Sequence, residues 1–163
     1  MDWRTLFLSP EGRMGQKDYW IGMAILFVAW VLSHALHILA PLVWLLLIYP
    51  GVCVYAKRLH DFGQSGWLIL APAAIACAAF ILAMLFGGMG VIGAIWTMAT
   101  MGTSPTAWGA LIAGLGVMAA FLCVALVAKL VFLLWVGLSA PDPGDNRYGP
   151  PPTSLTTPTP TAV

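Results

Sequence analysis

Charge is what this sequence has least of. Its 163 residues include only six Asp and Glu and seven Lys and Arg, so 8% of the chain is charged while 61% is hydrophobic, and the mean hydropathy is +0.92. A soluble globular domain carries about 25% charged residues because its surface must be wetted. A chain this poor in charge cannot cover itself with polar side chains, which excludes an ordinary soluble domain and requires lipid as solvent. The formal net charge of +1 comes with no basic stripe, so nothing suggests a nucleic-acid partner. Cysteine is scarce too: Cys53, Cys77 and Cys123 each lie inside an apolar run without CxxC or Cys/His spacing. A zinc site or disulfide framework needs clustered ligands, so these read as small hydrophobes and no metal or cofactor is expected. Also missing are a G-x-S-x-G elbow, an H-E-x-x-H pair, a P-loop and a dinucleotide glycine pattern, and the expectation is that the chain is not an enzyme. No pair of acids falls within an apolar run, which argues against a carboxylate proton relay.

What is present is a series of apolar runs. Residues 1–19 are mixed in character, too acidic and too long for the basic start of a cleaved signal peptide, and read as a cytoplasmic or interfacial segment. The run 20–55 is too long for one crossing of about 20 residues and holds Pro41 near its middle, where proline suits the first turn of a second helix. Spans are expected at about 20–39 and 41–56, a third at 66–86 with Ser65 as its N-cap, and a fourth at 107–138. The stretch 88–105 is apolar but glycine-rich; extension of the third helix, an interfacial position and re-entry all remain open. Residues 139–163 form a Pro/Thr-rich tail, expected to be disordered beyond Pro152. The cations test this arrangement. Arg4, Arg13 and Lys17 precede the first span, Lys57 and Arg58 lie between the second and third, and Arg147 follows the fourth. Cationic loops stay cytoplasmic, and four spans put all of these on one side. The sequence therefore predicts an all-α, polytopic four-helix transmembrane bundle, residues 20–138, with both termini cytoplasmic.

The polar segment KRLHDFGQSGW, residues 57–67, is then a short cytoplasmic loop. Lys57 and Arg58 end the second helix near anionic headgroups, and Asp61 stands three residues after Arg58, within reach of a local ion pair. Gly63 and Gly66 permit turns, and Trp67, like Tyr19 and Trp20, has the amphipathic ring of an interface anchor.

Three blocks resemble a known family. Gly12-Arg13 with Tyr19-Trp20, Lys57-Arg58-Leu59-His60-Asp61 with Ser65-Gly66-Trp67, and Asn146-Arg147-Tyr148-Gly149 with Pro150 to Pro152 are similar to the motifs of the bacterial inner-membrane family catalogued as domain of unknown function 805. The resemblance covers about residues 7–152. It implies a multi-pass inner-membrane location and a common four-helix fold, and no reaction. Gln16 stands where the family's first block has a second cation, Lys57 replaces an arginine and so loses the bidentate fork, and the 87–105 region and the tail are longer.

Because all three blocks fall on the expected cytoplasmic side, they can assemble into one polar cluster of Arg13, Lys17, Arg58, His60, Asp61, Asn146 and Arg147, either an architectural element or a ligand site. The alternative is that each residue ends its own helix. Lys129 is the one charge in the last apolar run; it is expected to snorkel to the cytoplasmic interface, with a salt bridge to Asp61 or Asp18 or a place on a transport path as alternatives. His34 and His37 share a helix face near the opposite membrane surface, too far from His60 for a three-histidine centre. Gly109, Ala113, Gly114, Gly116 and Ala120 put small residues on the last helix, where backbones can approach. The leading functional expectation is a non-enzymatic membrane protein that binds anionic headgroups or a partner protein, or self-associates, through its cytoplasmic face. The alternative is a small oligomeric transporter or channel with an inner gate near His60, Asp61 and Lys129.

Overall fold

The computed structural model describes residues 3–152. The tail expected to be disordered lies outside them. Among the described residues there are six α-helices and no strand: α1 (Trp3–Leu8), α2 (Gln16–Ser33), α3 (Ala40–Asp61), α4 (Leu70–Leu82), α5 (Met89–Met101) and α6 (Pro105–Leu138). Three helical stretches are long and apolar enough to cross a membrane: Gln16–Asp61, Gly66–Met101 and Pro105–Leu138.

The first stretch is bent. A 3₁₀ segment, His34–Leu39, joins α2 to α3, and within it His37 takes a positive φ of 42° that breaks the helical path. Pro41 follows in the first turn of α3, where its missing N–H costs no helical hydrogen bond. The two helices then pack side by side in opposite directions. Near the bend, the Trp44 indole Nε1 donates to the buried Ser33 hydroxyl at 2.8 Å. Further along, Gly22 faces Val54, and Tyr19 lies edge-on to Tyr55 at 5.7 Å.

The second stretch runs unbroken from Gly66 to Met101. A π-helical turn at Ala83–Gly88 carries α4 into α5, so the glycines at 87, 88 and 90 do not end the helix. It stops at Gly102, whose φ of 83° suits glycine. Of the stretch 88–105, the residues up to Met101 continue the third helix, and Pro105 begins α6.

The described residues fall into two compact units: 3–69 together with 134–152, and Leu70–Leu133. The second is a helical pair. Gly87 lies against Gly114 and Met118, Gly90 approaches Gly114, and Phe86 stacks on Phe121 at 6.4 Å. Of the small residues on α6, Gly114 makes this close approach, whereas Gly109 and Gly116 face open space. The first unit contains α1, α2, α3 and the C-terminal end of α6, and all of the polar cluster.

Candidate functional site

The cluster is built on the end of α3. Asp61, the last residue of that helix, is completely buried at 0% exposure, as is Arg58 one turn before it. One Asp61 carboxylate oxygen accepts from Arg58 Nη1, the local ion pair that the spacing predicts. The other accepts from Arg13 Nε at 3.2 Å, from a residue that precedes α2.

Neither guanidinium stops there. Arg13 Nη1 donates to the carbonyls of Gly144 at 2.7 Å and Gly149 at 3.3 Å, and its Nη2 donates to those of Asp61 at 3.0 Å and Asp142 at 2.6 Å. A guanidinium has five N–H donors, and Arg13 thus has a partner for each. Arg58 donates from Nε to Val136 O at 3.1 Å, from Nη1 to Met14 O at 3.5 Å as well as to Asp61, and from Nη2 to Ser139 O. The last carbonyls of a helix have no partners of their own and carry its negative dipole end, so Arg58 also caps α6. Two cations and one carboxylate leave a surplus positive charge, and these carbonyl oxygens offset it. No buried side-chain N or O among the described residues lacks a partner.

The segment after α6 is fastened over this core. The Asp142 N–H donates to Asp61 O at 2.9 Å. Asn146 Nδ2 donates to His60 O at 2.9 Å and to Asp142 Oδ2 at 3.2 Å, while its own Oδ1 accepts from the Tyr148 N–H. Arg147 Nη2 donates to Gly63 O at 3.1 Å, and its guanidinium lies 4.8 Å over the Tyr148 ring. His60 stacks on the same ring, centroids 3.7 Å apart and planes 8° from parallel, with Nδ1 3.2 Å from Gly12 O. Gly63, at φ 74°, lets the chain turn beneath Asp142, whose Oδ2 would stand 2.9 Å from an added Cβ. Aromatic stacking is worth about 1 kcal/mol beyond burial. Tyr148→Ala is therefore expected to lower stability by about 1 kcal/mol or somewhat more, and Tyr148→Phe to leave it nearly unchanged, read as thermal unfolding in one detergent.

Of the seven residues expected to form the cluster, six enter this network: Arg13, Arg58, His60, Asp61, Asn146 and Arg147. Lys17 is exposed on the first turn of α2 and takes part in neither ion pair found among the described residues. Lys129 is exposed on α6, in the other unit. His34 lies beside Trp30 and Trp44, and no metal-binding group of His, Cys, Asp or Glu occurs among the described residues. The aromatic residues expected as interface anchors differ. Trp67 is exposed and Trp20 half-buried, but Tyr19 is fully buried, packed between Trp20, Tyr55 and the bare backbone of Gly137. Tyr19 thus serves internal packing, because Gly137 leaves room for its ring between α2, α3 and the end of α6.

Several contributors escaped the sequence reading. Lys57 is 5% exposed, and its ammonium donates to Thr5 O and to Leu6 O at 2.8 Å, at the C-terminal end of α1. Asp142 and the carbonyls of Met14, Val136, Ser139, Gly144 and Gly149 complete the arginine shells. Only Asp142 carried a signal, as an acid within the polar APDPGDNRYG segment.

These features define a class: apolar helical chains, suited to a membrane, in which a buried Arg–Asp–Arg core gathers three sequence-distant polar blocks. The chain belongs to the family described as Protein of unknown function (DUF805), which it matches over residues 7–150. It is similar to the "Uncharacterized protein YiiR" of Escherichia coli (strain K12), 30% identical over 148 residues that cover 86% of this chain and 84% of that one. The protein of the same name from Escherichia coli O157:H7 matches with the same identity and coverage. No solved structure matches.

Proposed function

We propose that this is a non-enzymatic, four-span protein of the bacterial inner membrane, both termini cytoplasmic, which holds anionic lipid headgroups at its cytoplasmic face. The observation that carries the reading is the contact of Arg13 with both Asp61 and Asp142. Residues before α2, at the end of α3 and after α6 can touch only on one side of a bilayer. An even number of crossings must separate each pair. Two are supplied by α2 and α3, of 18 and 22 residues, or about 27 and 33 Å at 1.5 Å per residue, against a hydrocarbon thickness of about 30 Å. The stretches Gly66–Met101 and Pro105–Leu138 supply the other two. Cations collect on the shared side, which favours the cytoplasm.

The donor inventory separates two roles within the cluster. Arg13, Arg58 and Asp61 spend their hydrogen-bonding capacity on the chain itself and act as architecture. Both oxygens of Asp61 are held by guanidinium groups, so it is a poor acid–base partner for His60 and a poor gate. Lys17 and Arg147 are exposed and retain donors for a phosphate. At about 1 kcal/mol per cation, replacing both with glutamine is expected to weaken retention of phosphatidylglycerol ~30-fold; Lys17→Gln alone leaves the unfolding temperature unchanged, whereas Arg147→Gln also gives up the contacts with Gly63 and Tyr148 and lowers it slightly. Quantitative mass spectrometry of the protein in lipid nanodiscs would measure it. Unaltered lipid retention, or a co-purifying protein lost in place of lipid, would overturn the lipid reading.

A further inference from the structure

The short helix α1 has a position that a segment lying in water does not need. It runs along the flank of α3. Leu6 is buried, Lys57 Nζ reaches the carbonyls of Thr5 and Leu6, and the Tyr49 hydroxyl donates to Leu8 O at 2.9 Å. Tyr49 lies about two turns before Lys57 on α3, about 12 Å away at 1.5 Å per residue, so the end of α1 follows α3 back toward the interior of the span. Around Tyr49, the side chains of Leu45, Leu46 and Ile48 all point outward from the protein. On the outer side of α1, Trp3 is 53% and Leu8 60% exposed, with Trp3 stacked on Phe7 at 6.4 Å, and Arg4 and Thr5 are exposed beside them, Arg4 having a side chain long enough to reach the headgroups.

We propose that α1 is a wedge seated among the acyl chains of the leaflet in which α3 ends. The inference rests on α3 being a membrane span. Two observations point to lipid as the occupant. First, the exposed Leu8 of α1 meets the exposed Tyr49 of α3, whose neighbours Leu45, Leu46 and Ile48 are also exposed. Second, the backbone is prepared for a dry setting. The last carbonyls of a helix have no internal partner, and in water they hydrate without assistance. In hydrocarbon each unsatisfied group costs several kcal/mol. Here a buried lysine and a tyrosine hydroxyl are devoted to the carbonyls of Thr5, Leu6 and Leu8. A partner charge for Lys57 is not needed in this arrangement, because the negative end of α1 meets its ammonium.

The test uses the intact protein in liposomes containing a phospholipid with a diazirine midway along its acyl chain. After irradiation, lipid adducts are located by peptide mass spectrometry. The wedge predicts adducts on residues 3–8 at a yield comparable with that on residues 42–49 of α3. Adducts on 42–49 with none on 3–8 would overturn the wedge and leave the span in place; adducts on neither would overturn both. A second measurement uses Leu8→Cys and Glu11→Cys in a background lacking the native cysteines, labelled by a water-soluble maleimide. Leu8 is not covered by protein, so slow labelling at position 8 beside fast labelling at position 11 reports lipid, and equal rates would contradict the wedge.

Discussion

Asp61→Asn is expected to remove most of the folded protein. The substitution keeps the size of the side chain and changes only its charge and one acceptor, yet both carboxylate oxygens are in use. Asparagine has one carbonyl oxygen and one amide group, and either orientation turns that N–H₂ toward a guanidinium that also only donates. The arginines would remain buried with no anion between them. Breaking a buried pair by altering one partner typically costs about 3–5 kcal/mol, because it leaves an uncompensated charge. That is a large part of a usual folding free energy of about 5–15 kcal/mol. Fluorescence-detected size exclusion after mild extraction should show little monodisperse Asp61→Asn and a normal peak for Lys17→Gln. A well-behaved Asp61→Asn with unchanged unfolding would mean that the aspartate is not the centre of the cluster.

Gly87→Ala is expected to have the next largest effect, in the other unit. A Cβ at position 87 would stand 2.6 Å from Gly114 O and 2.9 Å from the Met118 backbone nitrogen, as well as 2.5 Å from Met118 Cγ. The flexible methionine side chain can move, but the backbone of α6 cannot without displacing the helix. Overpacking of this kind costs about 1–3 kcal/mol, and the upper end is expected because backbone is on the receiving side. Gly93→Ala is the control: nothing lies within 4 Å of a Cβ there, and alanine suits a helix better than glycine by about 1 kcal/mol. Thermal unfolding in a single detergent should fall for the first variant and hold or rise for the second.

Much of the architecture was legible because hydrophobicity and cation placement are averaged properties that survive local irregularity. Three apolar stretches and the polar blocks around Arg13, Arg58 and Asn146 follow from composition alone. Where the third helix ends did not follow. Gly87, Gly88 and Gly90 look like a stop signal by local propensity, but Gly87 lies directly against Gly114 and Met118 of α6, and packing outweighs propensity at that point. The membership of the cluster was legible for residues with distinctive side chains, such as Arg13 and Asp61. Its completion was not, because most acceptors are main-chain carbonyls that any residue type supplies. Lys57 looked like a surface anchor for the same reason: its partners are carbonyls of α1, which leave no mark in sequence. Tyr19 has the composition of an interface residue, and the contacts with Trp20, Tyr55 and Gly137 that turn its ring inward leave no mark in sequence.

In the proposed topology the segments before α2, after α3 and after α6 meet on the cytoplasmic face. Single cysteines at Glu11, Gln64 and Asp145, all exposed, address it directly in vesicles of known orientation with a membrane-impermeant maleimide. All three are expected to label in inside-out vesicles and none in right-side-out vesicles. Labelling of any one of them from the outside, with the others labelled from the inside, would contradict it, since residues on opposite faces cannot share the Arg13–Asp61–Asp142 contact.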